Sequence, residues 1–171
     1  MKSNEFIIEA KLKGTYAGVH FGDDTKDAVD LYIKENGIPN ATPTDKLHCT
    51  LLYSRKHCPN YEPLGQLEPM LRGKPGAFQV WEGQPDDDGN KPNCLIMEFD
   101  CVKLSARHKE LMDEHDATYD FDEYKTHITF SYDIGEMDIK DLPEFTGPIN
   151  IVEEYGEELD IDWAENNANE E

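Results

Sequence analysis

Two short segments of this chain alternate polar and apolar residues as a half-buried β-strand does. Residues Lys46–Thr50 read KLHCT, and residues Lys125–Thr129 read KTHIT. Alternate side chains of an extended chain lie on the same face, so each segment is predicted to present a lysine, a histidine and a threonine together. The residues between them then point into a core. The pattern therefore predicts two strands that each carry an imidazole and a hydroxyl on one face.

The order of the other elements favours an α+β fold. Strands are predicted at 15–21, 47–53, 78–81, 94–99, 125–132, 149–152 and 157–163, and helices at 26–36, 64–71 and 105–115. Asp24-Thr25 and Ser105 are the predicted caps of the first and last helices. Two halves of this order each contain a helix and a histidine strand. We therefore expect a bilobal α+β fold in which antiparallel-rich sheets line a central cleft and helices pack outside.

Length and composition favour one domain. A chain of 171 residues is long enough to bury a core, and residues 1–163 are assigned to a single domain. The polar segment 164–171 is predicted to be a frayed acidic tail. The four cysteines match no zinc-ribbon spacing and are interpreted as reduced packing residues. Phe78 and Trp81 are interpreted as core residues.

The net charge of −21 limits the partners that suit this chain. It argues against duplex DNA and anionic membranes. No segment is apolar enough for a signal peptide or a membrane span, so a cytoplasmic protein is predicted. No cofactor and no obligate protein partner are indicated. His108 and His115 lie seven apart on a predicted helix, but no acidic or cysteine ligand completes a metal site, so none is predicted.

The paired histidines suit cleavage of a phosphodiester without a metal. That reaction needs a base for the nucleophile, an acid for the leaving oxygen and donors for the charge on the phosphoryl oxygens. Histidine fills either proton role near neutral pH. His48 and His127 are predicted to divide these roles, with Thr50 and Thr129 as hydrogen-bond donors. The near symmetry of the motifs leaves open which histidine is the base, and the acidic surroundings predict a raised pKa for both.

The two lysines have two interpretations. Lys46 and Lys125 lie two residues before the histidines, where an ammonium would face the same phosphate. Either lysine is equally compatible with a solvated position at the entrance of its strand. Both therefore remain candidate phosphate contacts.

The paired motifs resemble the signature of the two-histidine phosphoesterase superfamily, in which two His-x-Thr/Ser strands occur in a bilobal α+β fold. Thr126 stands where that signature prefers an apolar residue. Within the superfamily, the whole chain is similar to the tailed-phage anti-CBASS nucleases, which degrade the cyclic oligonucleotide signals of bacterial CBASS immunity. Tyr16 within GTYAG, the segment 119–124 and the ending 157–163, EELDIDW, carry this closer similarity.

This resemblance implies metal-independent cleavage of 3′–5′ linkages in cyclic di- and trinucleotides, which would evade CBASS. The adjacent ribose 2′-OH attacks the phosphorus, and a 2′,3′-cyclic phosphate forms that water opens to a linear 3′-phosphate. The implied catalytic residues are His48, Thr50, His127 and Thr129, and the implied contacts to base or ribose are Tyr16 and Trp163.

The last predicted strand supplies a candidate acidic contact to a base edge. Glu157 alternates onto the same face as Trp163 and is the first choice. Glu154 is the alternative, because the register between Val152 and Glu157 is uncertain across Gly156. Aromatic stacking tolerates every base, so Tyr16 and Trp163 suit an enzyme that meets several cyclic nucleotides.

Other functions remain open at this point. One is a ligase-type or 2′,3′-cyclic phosphodiesterase member of the superfamily that acts on RNA ends, although long RNA calls for a basic groove. Another is a noncatalytic protein, either a sponge that sequesters nucleotides or an acidic mimic of DNA. A DNA mimic has no use for paired histidine–threonine strands, whereas a sponge could retain them. Base preference, ring size, oligomeric state and a second nucleotide site are also open.

Overall fold

The computed structural model describes residues 13–121 and 123–160. Within these residues the strands are β1 (Lys13–Phe21), β2 (His48–Ser54), β3 (Gly65–Glu82), β4 (Asn93–Asp100), β5 (His127–Ser131) and β6 (Ile149–Asp160). The helices are α1 (Asp23–Glu35) and α2 (Val102–His115), and a 3₁₀ turn spans Thr44–Lys46. The fold is therefore α+β, as the sequence predicts. No helix in the described ranges is long and apolar enough to cross a membrane.

The strands pair antiparallel in the order β2-β1-β6-β3-β4-β5, which places the two histidine strands at opposite edges of the sheet. The long strand β3 joins the two parts, because residues 65–73 pair with β6 and residues 74–82 pair with β4. Register shifts interrupt both pairings, and such irregularities bend a strand. The sheet curls until β2 and β5 contact each other. The backbone of His127 thereby comes within hydrogen-bond reach of the Cys49 thiol.

The apolar residues of the two histidine strands form the centre of the core, as the alternation predicts. Cys49, Leu51, Ile128 and Phe130 are at most 1% exposed. The helices pack against the same core through apolar side chains, among them Val29 and Ile33 of α1 and Leu104 and Leu111 of α2. Because each buried residue is flanked by residues of the other face, the histidines and threonines are turned away from the core.

The helix predicted at 64–71 is wrong, because these residues form the loop before β3 and its first part. Leu67 and Leu71 have helical spacing, and both pack against the core. They do so from a strand because the register with β6 shifts between Gln66 and Leu71. Pairing with β6 satisfies the backbone hydrogen bonds that a helix would otherwise make.

The helix starts also differ from the predicted ones. Helix α2 begins at Val102, directly after Cys101, so that Ser105 lies inside the helix rather than at its cap. Helix α1 follows Gly22, and the Thr25 hydroxyl accepts a hydrogen bond from the backbone N–H of Asn150. A tertiary contact therefore takes the hydroxyl that the sequence assigns to capping.

The strands predicted at 149–152 and 157–163 are parts of one strand, β6, which is described as far as Asp160. Gly156 does not interrupt it. A Cβ at Gly156 would lie 2.7 Å from the ring of Tyr61, so this glycine allows a close approach of an aromatic side chain. The continuous strand fixes the register that the sequence left uncertain.

Candidate active site

The two motif histidines are held by the same backbone arrangement. The Nδ1 atom of His48 lies 2.9 Å from the carbonyl oxygen of Lys46, and Nδ1 of His127 lies 3.0 Å from that of Lys125. A carbonyl oxygen only accepts hydrogen bonds, so Nδ1 of each ring carries the hydrogen. In each neutral ring Nε2 then keeps its lone pair. Nε2 is therefore the atom of each histidine that can accept or donate a proton in the cleft.

Lys46 and Lys125 do not follow the strand alternation that the sequence predicts. Lys46 ends the 3₁₀ turn, and Lys125 lies two residues before β5, so neither belongs to an extended strand. Both are exposed, and the Lys125 Nζ atom is 3.8 Å from a carboxylate oxygen of Glu98. What the structure shows for these lysines is that their backbone carbonyl oxygens bind the Nδ1 atoms of the two histidines. A contact of either ammonium with phosphate stays a prediction.

Thr126, the departure from the motif pattern, is buried and satisfied. Its hydroxyl donates a hydrogen bond to the carbonyl oxygen of Phe99. A buried hydroxyl is tolerated when it has such a partner. A threonine at this position therefore ties β5 to its neighbour rather than disrupting the core.

The pKa of His127 is set by its burial rather than by the acidic composition of the chain. Burial lowers the pKa of His127 below its ordinary value, and the nearby His48 lowers it further, whereas the Lys125 carbonyl and Glu98 oppose the shift. The expectation of a raised pKa is wrong for this histidine, because loss of water disfavours the charged ring more than distant carboxylates favour it. A neutral His127 is suited to accept a proton.

Each motif threonine has a tyrosine nearby. The hydroxyls of Thr50 and Tyr16 share a hydrogen bond of 3.0 Å, and the Tyr16 ring lies against Tyr155 with ring centres 6.0 Å apart. On the other side, Tyr132 lies near Thr129. Burial raises the pKa of all three tyrosines, so their hydroxyls stay neutral and remain donors. When a tyrosine donates to its threonine, the threonine hydrogen is free to point at a ligand.

Glu157 lies next to Tyr16 on one face of the sheet. The two residues are directly opposed in the β1–β6 pair, where side chains share a face of the sheet. Glu157 is exposed. Its carboxylate is therefore accessible from the same side as the Thr50 hydroxyl. Trp163, which the resemblance implies as a second contact on this strand, lies outside the described residues.

Glu154 lies on the opposite face of β6 and does not line the cleft. Its side chain is 2% exposed, and both carboxylate oxygens bind the Arg107 guanidinium at 2.8 and 2.9 Å. The Tyr61 hydroxyl and the backbone N–H of Leu64 also donate to it. This carboxylate is thus fully engaged in linking β6 to α2. Of the two candidate acidic contacts, only Glu157 is exposed, and its contact with a base stays a prediction.

Aromatic side chains form a cavity beside His127. The centre of the Trp81 ring lies 4.6 Å from that of His127. The cavity has a volume of about 370 Å³ and is lined by Trp81, Tyr119, Phe121, Glu123, Lys125 and His127. Phe78 packs against the core as interpreted from the sequence, but Trp81 lines this cavity.

Several residues of this site were not found from the sequence. Tyr155 had a usable signal, because a strand continuous through Gly156 places Glu153, Tyr155 and Glu157 on one face. Tyr132 had none. It follows β5, next to a register shift between β4 and β5 that the sequence does not reveal.

The cysteines are free thiols, as predicted. Cys49, Cys58 and Cys101 are buried, and Cys49 packs between the two histidine strands. Across residues 13–121 and 123–160, no group of three or more His, Cys, Asp and Glu side chains is arranged to hold a metal ion.

The fold and the site define an α+β protein in which two edge strands of one sheet each carry a histidine and a threonine, with the two histidines close enough for His48 to lower the pKa of His127. The whole of this architecture falls within a match to the family model of the anti-CBASS protein Acb1, which covers residues 13–166. The chain therefore belongs to the Acb1 family of anti-CBASS proteins.

Relatives from several phages agree with this placement. The anti-CBASS protein Acb1 of Acinetobacter phage Ac42 is 36% identical over 151 residues, which cover 88% of this chain and 94% of the relative. The Acb1 protein of Enterobacteria phage T4 is 32% identical over 152 residues, which cover 89% of this chain and 92% of the relative. The Acb1 protein of Vibrio phage KVP40 is 28% identical over 167 residues, which cover 98% of this chain and 99% of the relative. The predicted similarity to phage anti-CBASS proteins is confirmed, and it implies an anti-CBASS role.

Proposed function

We propose that this chain is a phosphodiesterase that cleaves 3′–5′ linkages in cyclic di- and trinucleotide signals and thereby blocks CBASS immunity in the cytoplasm of an infected cell. The observation that carries the proposal is the matched placement of His48 and His127, each with Nδ1 bonded to a backbone carbonyl and Nε2 left available. Membership of the Acb1 family supports the biological context. The paired strands, joined through β3, also support placement in the two-histidine phosphoesterase superfamily with a bilobal fold.

In the first step His127 acts as the base. Its lowered pKa keeps Nε2 unprotonated, so it takes the proton of a ribose 2′-OH. The 2′-oxygen forms a bond to the adjacent phosphorus, and the bond from phosphorus to the 5′-oxygen breaks. Protonated His48 gives its Nε2 proton to that 5′-oxygen. The products are a 2′,3′-cyclic phosphate and a free 5′-hydroxyl, with the proton moved from one histidine to the other.

The second step reverses the proton roles. Neutral His48 takes a proton from water, and the water oxygen forms a bond to the phosphorus of the cyclic phosphate. The bond from phosphorus to the 2′-oxygen breaks, and His127 returns its proton to that 2′-oxygen. A linear 3′-phosphate results, and both histidines regain their initial protonation. This cycle needs no metal ion because the two imidazoles supply every proton transfer.

The threonines stabilise the charge that grows on the phosphoryl oxygens. Thr50 and Thr129 lie two residues after the histidines on the same face, and the Tyr16 hydroxyl holds the Thr50 hydroxyl oxygen in place. Donors fixed before the reaction stabilise a transition state without reorganisation cost. The Tyr16 hydroxyl, bonded to Thr50, is close enough to contact the same phosphate or its ribose.

The surroundings of the histidines suit the bases of a cyclic nucleotide. Trp81, Tyr119 and Phe121 offer aromatic faces for stacking, which is worth about 1–3 kcal/mol per base. Glu157 accepts hydrogen bonds from an exocyclic amine, and Trp163 is proposed as a further stacking contact. Lys46 and Lys125 offset the phosphate charge.

The test is to incubate 3′,3′-cyclic GMP-AMP with the chain in excess EDTA and to identify the products by mass spectrometry. A linear product with a 3′-phosphate is expected, and His48→Ala and His127→Ala should each abolish it. Intact nucleotide recovered after denaturing the protein indicates a sponge instead. Turnover only of RNA ending in a 2′,3′-cyclic phosphate would assign the site to RNA ends.

A further inference from the structure

A third histidine, His20, lies beside His48 on the cleft face, and the reaction above does not use it. The two residues are directly opposed in the β1–β2 pair. Opposed residues of antiparallel strands share a face, with Cα atoms about 4.5–5.5 Å apart. The His20 side chain is 38% exposed. It is therefore accessible to a ligand that is bound at His48.

The ring of His20 is fixed on two sides. Its Nδ1 atom lies 2.7 Å from a carboxylate oxygen of Glu153, and its face stacks on Tyr155 with ring centres 4.1 Å apart and planes inclined by 7°. Tyr155 in turn lies over Gly18, where a Cβ would be 2.7 Å from the tyrosine hydroxyl. The second ring nitrogen, Nε2, has no hydrogen-bond partner among the described residues. A ring held in this way can bind a ligand without losing further side-chain freedom.

We propose that His20 binds the second phosphate of a cyclic dinucleotide, the one that is not cleaved. The inference rests on the proposed function. Both phosphodiesters belong to one small ring, so when one lies between His48 and His127 the other stays in the same cleft. Protonated His20, with Nδ1–H held by Glu153, donates Nε2–H as a charge-assisted hydrogen bond.

The carboxylates around His20 would repel a phosphate unless a cation offset their charge. Glu153 and Glu157 both lie on this face of β6 and would repel a second phosphate. Glu153 is instead paired with His20, which cancels its charge when the ring is protonated. The pair of His20 and Glu153 therefore neutralises one repulsive carboxylate and adds one hydrogen-bond donor, His20 Nε2, at the same place.

The experiment measures binding, so that it does not depend on turnover. In a His127→Ala background, calorimetry compares 3′,3′-cyclic GMP-AMP with the linear dinucleoside monophosphates GpA and ApG, each of which retains one of the two phosphates. His20→Ala is expected to weaken binding of the cyclic nucleotide about tenfold, as loss of one charge-assisted hydrogen bond does, and binding of the linear compounds less than about twofold. His57→Ala, which changes an exposed histidine, is the control.

The outcomes separate the inference from the function on which it rests. Equal weakening for cyclic and linear ligands would overturn the inference, because His20 would then act only through Tyr155. His20→Lys keeps the cation and should recover most of the lost affinity for the cyclic nucleotide; a lysine variant no better than alanine also overturns it. This variant decides the matter if the linear compounds bind too weakly to measure. Cyclic nucleotide that fails to bind the His127→Ala chain at all contradicts the proposed function itself.

Discussion

Tyr124 stacks on His108 with ring centres 3.9 Å apart and planes inclined by 8°, directly behind the strand that carries Thr50. Both side chains bind the backbone of that strand. The Tyr124 hydroxyl donates to the carbonyl oxygen of Thr50 at 2.7 Å, and Nδ1 of His108 lies 2.7 Å from the carbonyl oxygen of Leu51. A buried imidazole on α2 therefore helps to place the proposed phosphate-binding threonine.

Stability is expected to fall in acid because of His108. Burial lowers the pKa of His108 in the folded state below the unfolded value of about 6.5, so protons bind the unfolded chain more tightly. The contribution of the neutral ring is present above about pH 6.5 and is lost as the pH falls through the folded pKa. Urea unfolding at pH 7.5 and pH 5 should show a smaller loss for His108→Gln than for the unchanged chain. Equal losses would contradict this assignment.

The rate is expected to depend on pH with a bell shape. The acid limb of kcat/KM should lie below about pH 6.5, because His127 must be neutral and burial lowers its pKa. A fall of the rate at high pH is also expected, because the proposed reaction needs a general acid as well as a base. Initial rates with cyclic GMP-AMP between pH 4.5 and 9 measure both limbs. A flat profile would exclude two-histidine proton transfer, and an acid limb above pH 7 would exclude His127 as the base.

Gly18 is expected to be required only because Tyr155 occupies its side-chain space. Gly18→Ala should destabilise the chain by about 1–3 kcal/mol, as overpacking does, and should lower activity by displacing Tyr155. In a Tyr155→Ala background the same change should cost less than about 0.5 kcal/mol. A double-mutant cycle of unfolding free energies measures this coupling. Additive effects would show that Gly18 is needed for some other reason.

Glu154 and Glu157 of β6 are expected to respond differently to the same substitution. Glu154→Gln should lower the free energy of unfolding by about 2–3 kcal/mol, because it removes the buried charge that binds Nε and Nη2 of Arg107 and leaves only the exposed Glu110 paired with this guanidinium. Glu157→Gln, at an exposed position, should change it by less than about 0.5 kcal/mol and should weaken binding of cyclic nucleotide. Urea unfolding and calorimetry check the pair. A stable Glu154→Gln chain with impaired binding would reverse the two assignments.

The parts of the site that depend on local pattern were predictable. Alternation within KLHCT and KTHIT identifies the strands, the buried residues and the faces of His48 and His127, because side-chain direction in a strand depends only on its neighbours. Lys46 and Lys125 do not follow this alternation, because β2 and β5 begin after them.

Features that depend on register between distant strands were not predictable. His20 becomes a neighbour of His48, and Tyr155 a neighbour of Gly18, only once β1, β2 and β6 are paired. Gly156 was interpreted as a break between two strands, because the neighbouring residues do not reveal that this glycine accommodates the ring of Tyr61. The pKa of His127 was misjudged for a related reason, because net charge is a property of the whole chain whereas burial is a property of one position.

The bend in β3 has a consequence for how such a site can diversify. The strand pairs with β6 in its first half and with β4 in its second, so it connects the part of the sheet that holds His48 to the part that holds His127. Its own residues include neither histidine. A one-residue insertion or deletion at 66–71 would therefore change the spacing of the two imidazoles while leaving both motifs intact.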